Sequence, residues 1–368
     1  MSFSPSRVIR GHIEPEGAYH RDEPETGGRE PVRLNWNESP YGLSPKAQAA
    51  FDHFRTGNTY PDIDQVPLRA AIGRYLGVDA ERIIVGAGLD DVINTLAMTI
   101  AEPETEVIIC EPTFGVYRDL FELHGATVTD IPLGPAPDFT FPVDGIIDAV
   151  SDKTRLVLIC NPNNPTGTLF SRDDIVQVIE SVDCLVAIDE AYAEFAGVDH
   201  TDLALAYDNV ITLRTMSKFA GLAGFRVGYG VFPAALMPWF HRAAPAFFNV
   251  SAPAAAVAIA SLDDLDHLRA NAARIVAERD RLGTALDTLP GVHVYPSATN
   301  FVLVALPIDD ARPVVEALAH EGLLVRGYGE GELRRCIRIS IGLPEHHDRL
   351  IAIVQRELAR TSEGVVTA

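Results

Sequence analysis

VITLRTMSKFAGLAGFRVGYGV, residues 210–231, sets two short β-type runs, VITL (210–213) and VGYGV (227–231), around a loop with unusual content. Lys218 stands beside a hydroxyl, Ser217, just past the first run; small residues follow, and then Arg226. Gly221 and Gly224 let backbone approach closely, and Ser217 and Arg226 are residue types that together can hold a phosphate. In open α/β sheets ligands bind beyond the carboxyl ends of the strands. The residues that follow each β run are therefore the ones to read for chemistry.

Upstream, the β-type runs are RIIV (82–85), EVIIC (106–110), TVTDI (127–131), RLVLIC (155–160) and LVAID (185–189), with amphipathic stretches such as DVINTLAMTIA and DDIVQVIESV between several of them. This alternation predicts an α/β fold whose large domain has a mostly parallel, mixed sheet sandwiched by helices. Downstream, a helical stretch from Pro253 to Leu289 leads to GVHVY, NFVLVAL, ARPVVEALAHEG, LLVRGY, RCIRISIG and an amphipathic helix from Pro344 to Arg360. That run predicts a smaller α/β domain, a short sheet with helices on one side. Residues up to about 32 are polar and rich in Pro, Gly and charge, the composition of an extended arm that orders only against something else. The expected organisation is an arm over 1–33, a large domain over 34–270, and a small domain over 271–368 to which the arm contributes.

The formal net charge of −21 argues against nucleic acid or an anionic membrane as partner. No basic segment leads into an apolar one at the start, and no apolar run reaches membrane-spanning length, so the expectation is a soluble, cytoplasmic protein. Cys110, Cys160, Cys184 and Cys336 show no CxxC spacing and read as buried free thiols, not as a metal site. Lysine is scarce. Lys46 lies in SPKA at a helix start and Lys153 in the turn SDKT, both solvated contexts, which leaves Lys218 as the one lysine at a strand end among phosphate-type donors.

The other turns add to it. Gly86-Ala87-Gly88-Leu89-Asp90-Asp91 follows RIIV and enters a helix; it is either a phosphate-binding helix start or a plain capped turn. Glu111-Pro112-Thr113-Phe114-Gly115 offers an aromatic that either stacks on a flat ring or packs in the core. Asn161-Pro162-Asn163-Asn164-Pro165-Thr166-Gly167 makes a rigid turn with amide donors. Asp189-Glu190-Ala191-Tyr192 ends a strand with a carboxylate, which is costly unless it meets a cation or several donors; a structural ion pair is the other reading. A single ligand answers all five turns if it has a phosphate, a flat ring, an acceptor oxygen, a ring nitrogen that wants a carboxylate, and a group that bonds covalently to lysine. Pyridoxal 5′-phosphate has all of these.

Several stretches also resemble a known family: LNWNESPYGLSP (34–45), YPD (60–62), GAGLDDVI (86–93), EPTFGVY (111–117), NPNNPTG (161–167), AIDEAY (187–192), RTMSKFAGLAGFRVG (214–228), SATNFVL (297–303) and IRISIG (337–342). In content and order they resemble the fold-type I pyridoxal-phosphate enzymes of the aspartate aminotransferase superfamily, and within it the histidinol-phosphate aminotransferases. The resemblance covers the chain from about residue 33 onward. It implies that Lys218 forms the Schiff base with the cofactor and shuttles the substrate proton, and that Asp189 pairs with the pyridinium nitrogen. It implies Tyr192 and Asn164 on the ring oxygen, and Phe114, where most relatives carry Tyr, stacked on the ring. Ser217, Arg226 and the backbone N–H groups near Asp90 and Asp91 would hold the phosphate, joined by Tyr60 from the other subunit of a homodimer. Arg338 would clamp the substrate's anionic group, with Arg326 and Tyr19 on a substrate phosphate. Asn300 lies either near the site or in a core turn. Trp36 stands where relatives carry small residues.

The implied reaction is ping-pong transfer of an amino group from histidinol phosphate to 2-oxoglutarate. The other readings are an aromatic or other amino-acid aminotransferase, an L-threonine-O-3-phosphate decarboxylase, and a pyridoxal-phosphate-binding regulatory domain. The last would need a DNA-binding domain for which the segment before residue 33 has no room.

Overall fold

The computed structural model describes residues 7–13, 25–243, 248–329 and 331–365; Tyr19 lies outside them. The strands are β1 (Val32–Leu34), β2 (Ile83–Gly86), β3 (Glu106–Glu111), β4 (Thr127–Pro132), β5 (Thr154–Cys160), β6 (Leu185–Asp189), β7 (Val210–Thr215), β8 (Gly228–Val231), β9 (His293–Val294), β10 (Phe301–Ala305), β11 (Leu323–Gly327) and β12 (Cys336–Ser340).

Seven of them form one sheet in the order β2-β8-β7-β6-β5-β3-β4. The β3, β4, β5, β6 and β7 pairings are parallel, and β8 runs antiparallel to both β2 and β7. The central strands are apolar almost without interruption because helices cover both faces. Along β5 the side chains sort by parity: Leu156 and Leu158 join the core that holds Val107, Ile109 and Ala187. Val157 and Ile159 join the opposite core, with Ile108, Val186 and Ile188. All four thiols are free and buried, as expected.

The second sheet has the order β1-β11-β12-β10-β9. Here β1 pairs parallel with β11, and β11-β12, β12-β10 and β10-β9 are antiparallel. The segment entering at Val32 is thus tied to the C-terminal part of the chain, at Val32↔Leu323 through Leu34↔Val325.

Two helix boundaries differ from expectation. The stretch read as one helix from Pro253 to Leu289 is two, Ala252–Leu262 and Leu265–Asp287. The break falls at Asp263-Asp264, where Lys46 Nζ donates to the Asp263 carbonyl and the Lys46 N–H to Asp264 Oδ2. Asp favours helix ends over interiors because its side chain competes for backbone-type partners. The last helix starts at Pro344 but runs on to Val365. Among the described residues, no helix is long and apolar enough to cross a membrane.

The close approach of β8 to the start of the helix Leu89–Ile100 places the functional turns side by side. Gly228 sits so near this turn that a Cβ there would lie 2.2 Å from the Leu89 backbone nitrogen. Backbone cannot yield as a flexible side chain does, so Gly228→Ala should lower the unfolding free energy of the cofactor-free protein by about 1–3 kcal/mol, the usual range for overpacking. Urea denaturation measures it, and an unchanged midpoint would contradict this account of the contact.

Candidate active site

Asp189 ends β6 and Glu190 follows it directly, and the two carboxylates meet different partners. Glu190 is fully buried and has its cation: Arg214 Nε and Nη2 each lie 3.1 Å from Glu190 Oε2. His200 adds its backbone N–H and Nδ1, both 2.9 Å from Glu190 Oε1. Asp189 is as deeply placed, at 3% exposure, but is met only by hydrogen-bond donors. Tyr117 Oη donates to Oδ2 at 2.6 Å and the Ala191 N–H to Oδ1 at 2.9 Å. Burial pushes its pKa up to about 6, against the downward pull of those two bonds. An acid kept desolvated and without a cation, beside one that has its own, is held ready for a cationic partner.

Lys218 leaves β7 through the turn after Thr215, and its Nζ donates to the Trp36 carbonyl at 2.9 Å. Burial first, and then the positive charge of Arg338, lower its pKa to about 8. Asn164 is buried, and its Oδ1 accepts from Arg338 Nη1 at 2.5 Å, which turns the amide hydrogens the other way. Arg338 Nη2 donates to the Asn35 carbonyl at 2.6 Å, while its Nε is buried without a partner. Its guanidinium carbon lies 5.3 Å from the Phe301 ring centroid. Tyr192 Oη accepts from Asn37 Nδ2 at 3.0 Å, and burial raises its pKa.

The phosphate-type residues cluster at the start of the helix Leu89–Ile100, where Gly88, at φ +91°, occupies the cap position without offering a side chain to the first N–H groups. Arg226, itself left-handed at φ +53°, pairs its Nη2 with Asp90 Oδ2 at 2.9 Å. That guanidinium lies directly on Gly88, where a Cβ would be 2.2 Å from Arg226 Nη2. Asp91 Oδ2 folds back to accept from the Ala87 N–H at 2.7 Å. Ser217 is buried, its N–H on Thr215 Oγ1 at 3.1 Å. Phe114 is half-buried and meets Tyr117 edge-on, with centroids 5.4 Å apart.

Arg326 is the direct cross-strand partner of Arg338 on β11 and β12. Residues directly opposite in an antiparallel pair project from the same face, so the two arginine side chains leave the small sheet on one side. Asn300 is buried; its Nδ2 donates to the Asn37 carbonyl at 3.0 Å and its Oδ1 has no partner. Tyr60 is 81% exposed, its ring stacked on Phe248 at 4.6 Å. Sequence reasoning did not single out Tyr117 and Asn37, although both sit inside recognised stretches. Tyr117 comes one helical turn after Phe114, a spacing that signals a shared face. Asn37 gives no comparable signal.

The site and the two sheets define a class: the aminotransferase class I and II family model matches residues 29–354, and the chain belongs to that family. Among similar proteins is the histidinol-phosphate aminotransferase of Roseiflexus castenholzii, 40% identical over 88% of this chain and 89% of the relative. Histidinol-phosphate aminotransferase 1, chloroplastic, of Arabidopsis thaliana is 36% identical over 95% of this chain and 85% of its own length. The crystal structure of histidinol-phosphate aminotransferase from Sinorhizobium meliloti in complex with pyridoxal-5′-phosphate superposes with a TM-score of 0.84 at 30% identity, covering 91% of this chain and 92% of that one.

The state of Asp189 has a consequence for stability. Its carboxyl is shifted upward on folding, from an ordinary value of 3.8 to about 6, so the folded protein holds that proton more tightly. The cost of the buried charge is absent below about pH 4 and complete above about pH 6. Asp189→Asn should therefore stabilise the cofactor-free protein by about 1–3 kcal/mol at pH 7.5 and leave it unchanged near pH 4. Chemical denaturation at the two pH values checks this, and equal effects at both would refute it.

Proposed function

We propose that this chain is a pyridoxal-phosphate-dependent aminotransferase acting on histidinol phosphate and 2-oxoglutarate, working as a cytoplasmic homodimer. The observation that carries the substrate reading is the pair Arg326↔Arg338. Like charges directly opposite on neighbouring strands repel, and the arrangement becomes favourable when an anion sits against them. A site that alternates between a phosphate-bearing amine and a dicarboxylate needs such a place for both.

The donor set fits the cofactor. Asp189 is a buried acid that meets hydrogen-bond donors but no cation among the described residues, which suits a ring nitrogen, and Asn164 has amide hydrogens to spare for a ring oxygen. Bound here, the cofactor supplies an aldehyde carbon for the amino group and a ring that draws electrons from the substrate α-carbon. Asp189 would pair with the ring nitrogen. Tyr192 and Asn164 would donate to the ring oxygen, and Phe114 would stack on the ring. Ser217, Arg226 and the N–H groups near Asp90 and Asp91 hold the phosphate, with Tyr60 reaching it from the second subunit; the exposure of Tyr60 in one chain suits that role. Lys218, with its amine near 8, anchors the cofactor and then moves the proton from the substrate α-carbon. Arg338 takes a substrate carboxylate and Arg326 the phosphate, for which Tyr19 is a second candidate, and Asn300 is a further candidate for substrate binding. The chain divides into an arm (1–33), a large part (34–270) and a small part (271–368) to which the arm contributes, a reading supported by the pairing of β1 with β11.

Single-turnover absorbance changes with histidinol phosphate, glutamate, phenylalanine and O-phosphothreonine test the proposal. A full cofactor response to histidinol phosphate and to glutamate is expected; silence with histidinol phosphate would remove that substrate, and carbon dioxide release from O-phosphothreonine would make the protein a decarboxylase. Lys218→Ala should abolish turnover. Arg326→Leu should lower kcat/KM for histidinol phosphate about a hundredfold, the loss of a charge-assisted contact of about 2–3 kcal/mol, with the cofactor still bound.

A further inference from the structure

Asn37 is buried at 2% exposure, adopts a left-handed φ of +53°, and has every polar group engaged. Its N–H donates to Ser340 Oγ at 2.8 Å, and its Oδ1 accepts the Ser340 hydroxyl proton at 2.9 Å. Its carbonyl accepts from Asn300 Nδ2 at 3.0 Å, and its Nδ2 donates to Tyr192 Oη at 3.0 Å. These bonds have a fixed direction. Ser340 Oγ already accepts the Asn37 N–H, and among the described residues its proton has Asn37 Oδ1 as its acceptor; turning the amide over would leave that proton without a partner, so the oxygen is held toward Ser340 and the NH2 toward Tyr192. An NH2 accepts nothing, so the phenol proton of Tyr192 cannot point at Asn37 and is free for another acceptor.

The geometry points to Asn37 as a positioning residue that forces Tyr192 to act as a hydrogen-bond donor toward the ring oxygen of the cofactor, with Ser340 setting the orientation of the amide. The inference rests on the pyridoxal-phosphate reading above. The left-handed backbone is part of the device, because asparagine is one of the few side-chain-bearing residues that adopts it readily and still carries a donor and an acceptor. Ser340 lies two residues beyond Arg338 on β12, so the strand that carries the substrate clamp also sets the polarity of the phenol.

A donor on the ring oxygen favours its anionic form, which accompanies loss of the proton from the lysine-linked cofactor. Taking the donor away raises the pH at which that proton leaves. Asn37→Asp replaces the NH2 with an oxygen that accepts the Tyr192 proton and so reverses the bond. The pH titration of the bound cofactor's visible absorbance should shift upward by about one pH unit, the scale of a lost hydrogen bond to a charged group. In a Tyr192→Phe background there is no phenol proton to redirect, and the shift should fall to less than half. Ser340→Ala frees the amide to turn without adding charge. It should raise the midpoint in the wild-type background and leave it unmoved in Tyr192→Phe, which keeps the test available should Asn37→Asp not fold. Equal shifts in both backgrounds, or lower thermal stability with an unmoved midpoint, would overturn the proposal. Wild-type protein that takes up no pyridoxal phosphate would remove the functional reading and this inference together. A wild type that titrates normally beside unshifted variants would remove this inference alone.

Discussion

The desolvation of Asp189 without a cation is the constraint on which the rest of the site depends. A parallel sheet covered on both faces exposes chemistry only where its strands end, and there a carboxylate is surrounded by apolar packing. The fold meets this by separating two acids that are adjacent in sequence. Glu190 turns to the face where Arg214 lies, and that arginine is in turn shared with Glu194 and with Asp199, at 3.6 and 3.0 Å. With Arg214 fully engaged there, its charge is not offered to Asp189. A carboxyl poised near 6 results, which a positively charged ring nitrogen would draw fully into its ionised form.

The same economy of contacts appears in the three residues that follow β1. The Asn35 carbonyl receives Arg338, the Trp36 carbonyl receives Lys218, and the Asn37 amide reaches Tyr192. Three consecutive residues, two through their carbonyls and the third through its side chain, thus touch Arg338, Lys218 and Tyr192. Because β1 is in register with β11, this strip belongs mechanically to the small sheet, as does Arg338 on β12, while Tyr192 and Lys218 follow β6 and β7 of the large one. Displacement of one sheet against the other would therefore reach Lys218 and Tyr192 together, and the packing that holds β1 on β11 also holds that polar geometry.

Much of this is legible in the sequence. The β-type runs of the large sheet fall within one or two residues of the observed strands, because continuous apolar runs between turn residues have few other solutions. The turns after those runs carried the site, since strand ends are where a buried sheet can bind anything. Helix ends were less legible: the Asp263-Asp264 break depends on Lys46, more than 200 residues earlier, and no local pattern contains that contact. Tyr117 and Asn37 were illegible as partners for the same reason. A tyrosine in a helix and an asparagine in a loop are common, and only the fold brings one to Asp189 and the other to Tyr192. The pairing of Arg326 with Arg338 is intermediate, because both arginines were visible but their registration is a property of the sheet.

That registration also explains how a strongly acidic chain can receive an anion. With a net charge of −21 the protein as a whole repels phosphates and carboxylates, but at physiological ionic strength such repulsion is screened beyond about 8 Å. Within that distance the local charges decide. Arg326 and Arg338 stand on one face of the small sheet, with Lys218 close enough to Arg338 for its amine to be depressed by that charge. A cationic pocket of this kind attracts at contact what the surface repels at a distance. The attraction is strongest where water is excluded, which is where the unpartnered Nε of Arg338 lies. An anion against Arg326 and Arg338 would offset the cost of holding these like charges together, so affinity for an anion and the local repulsion would have a common origin.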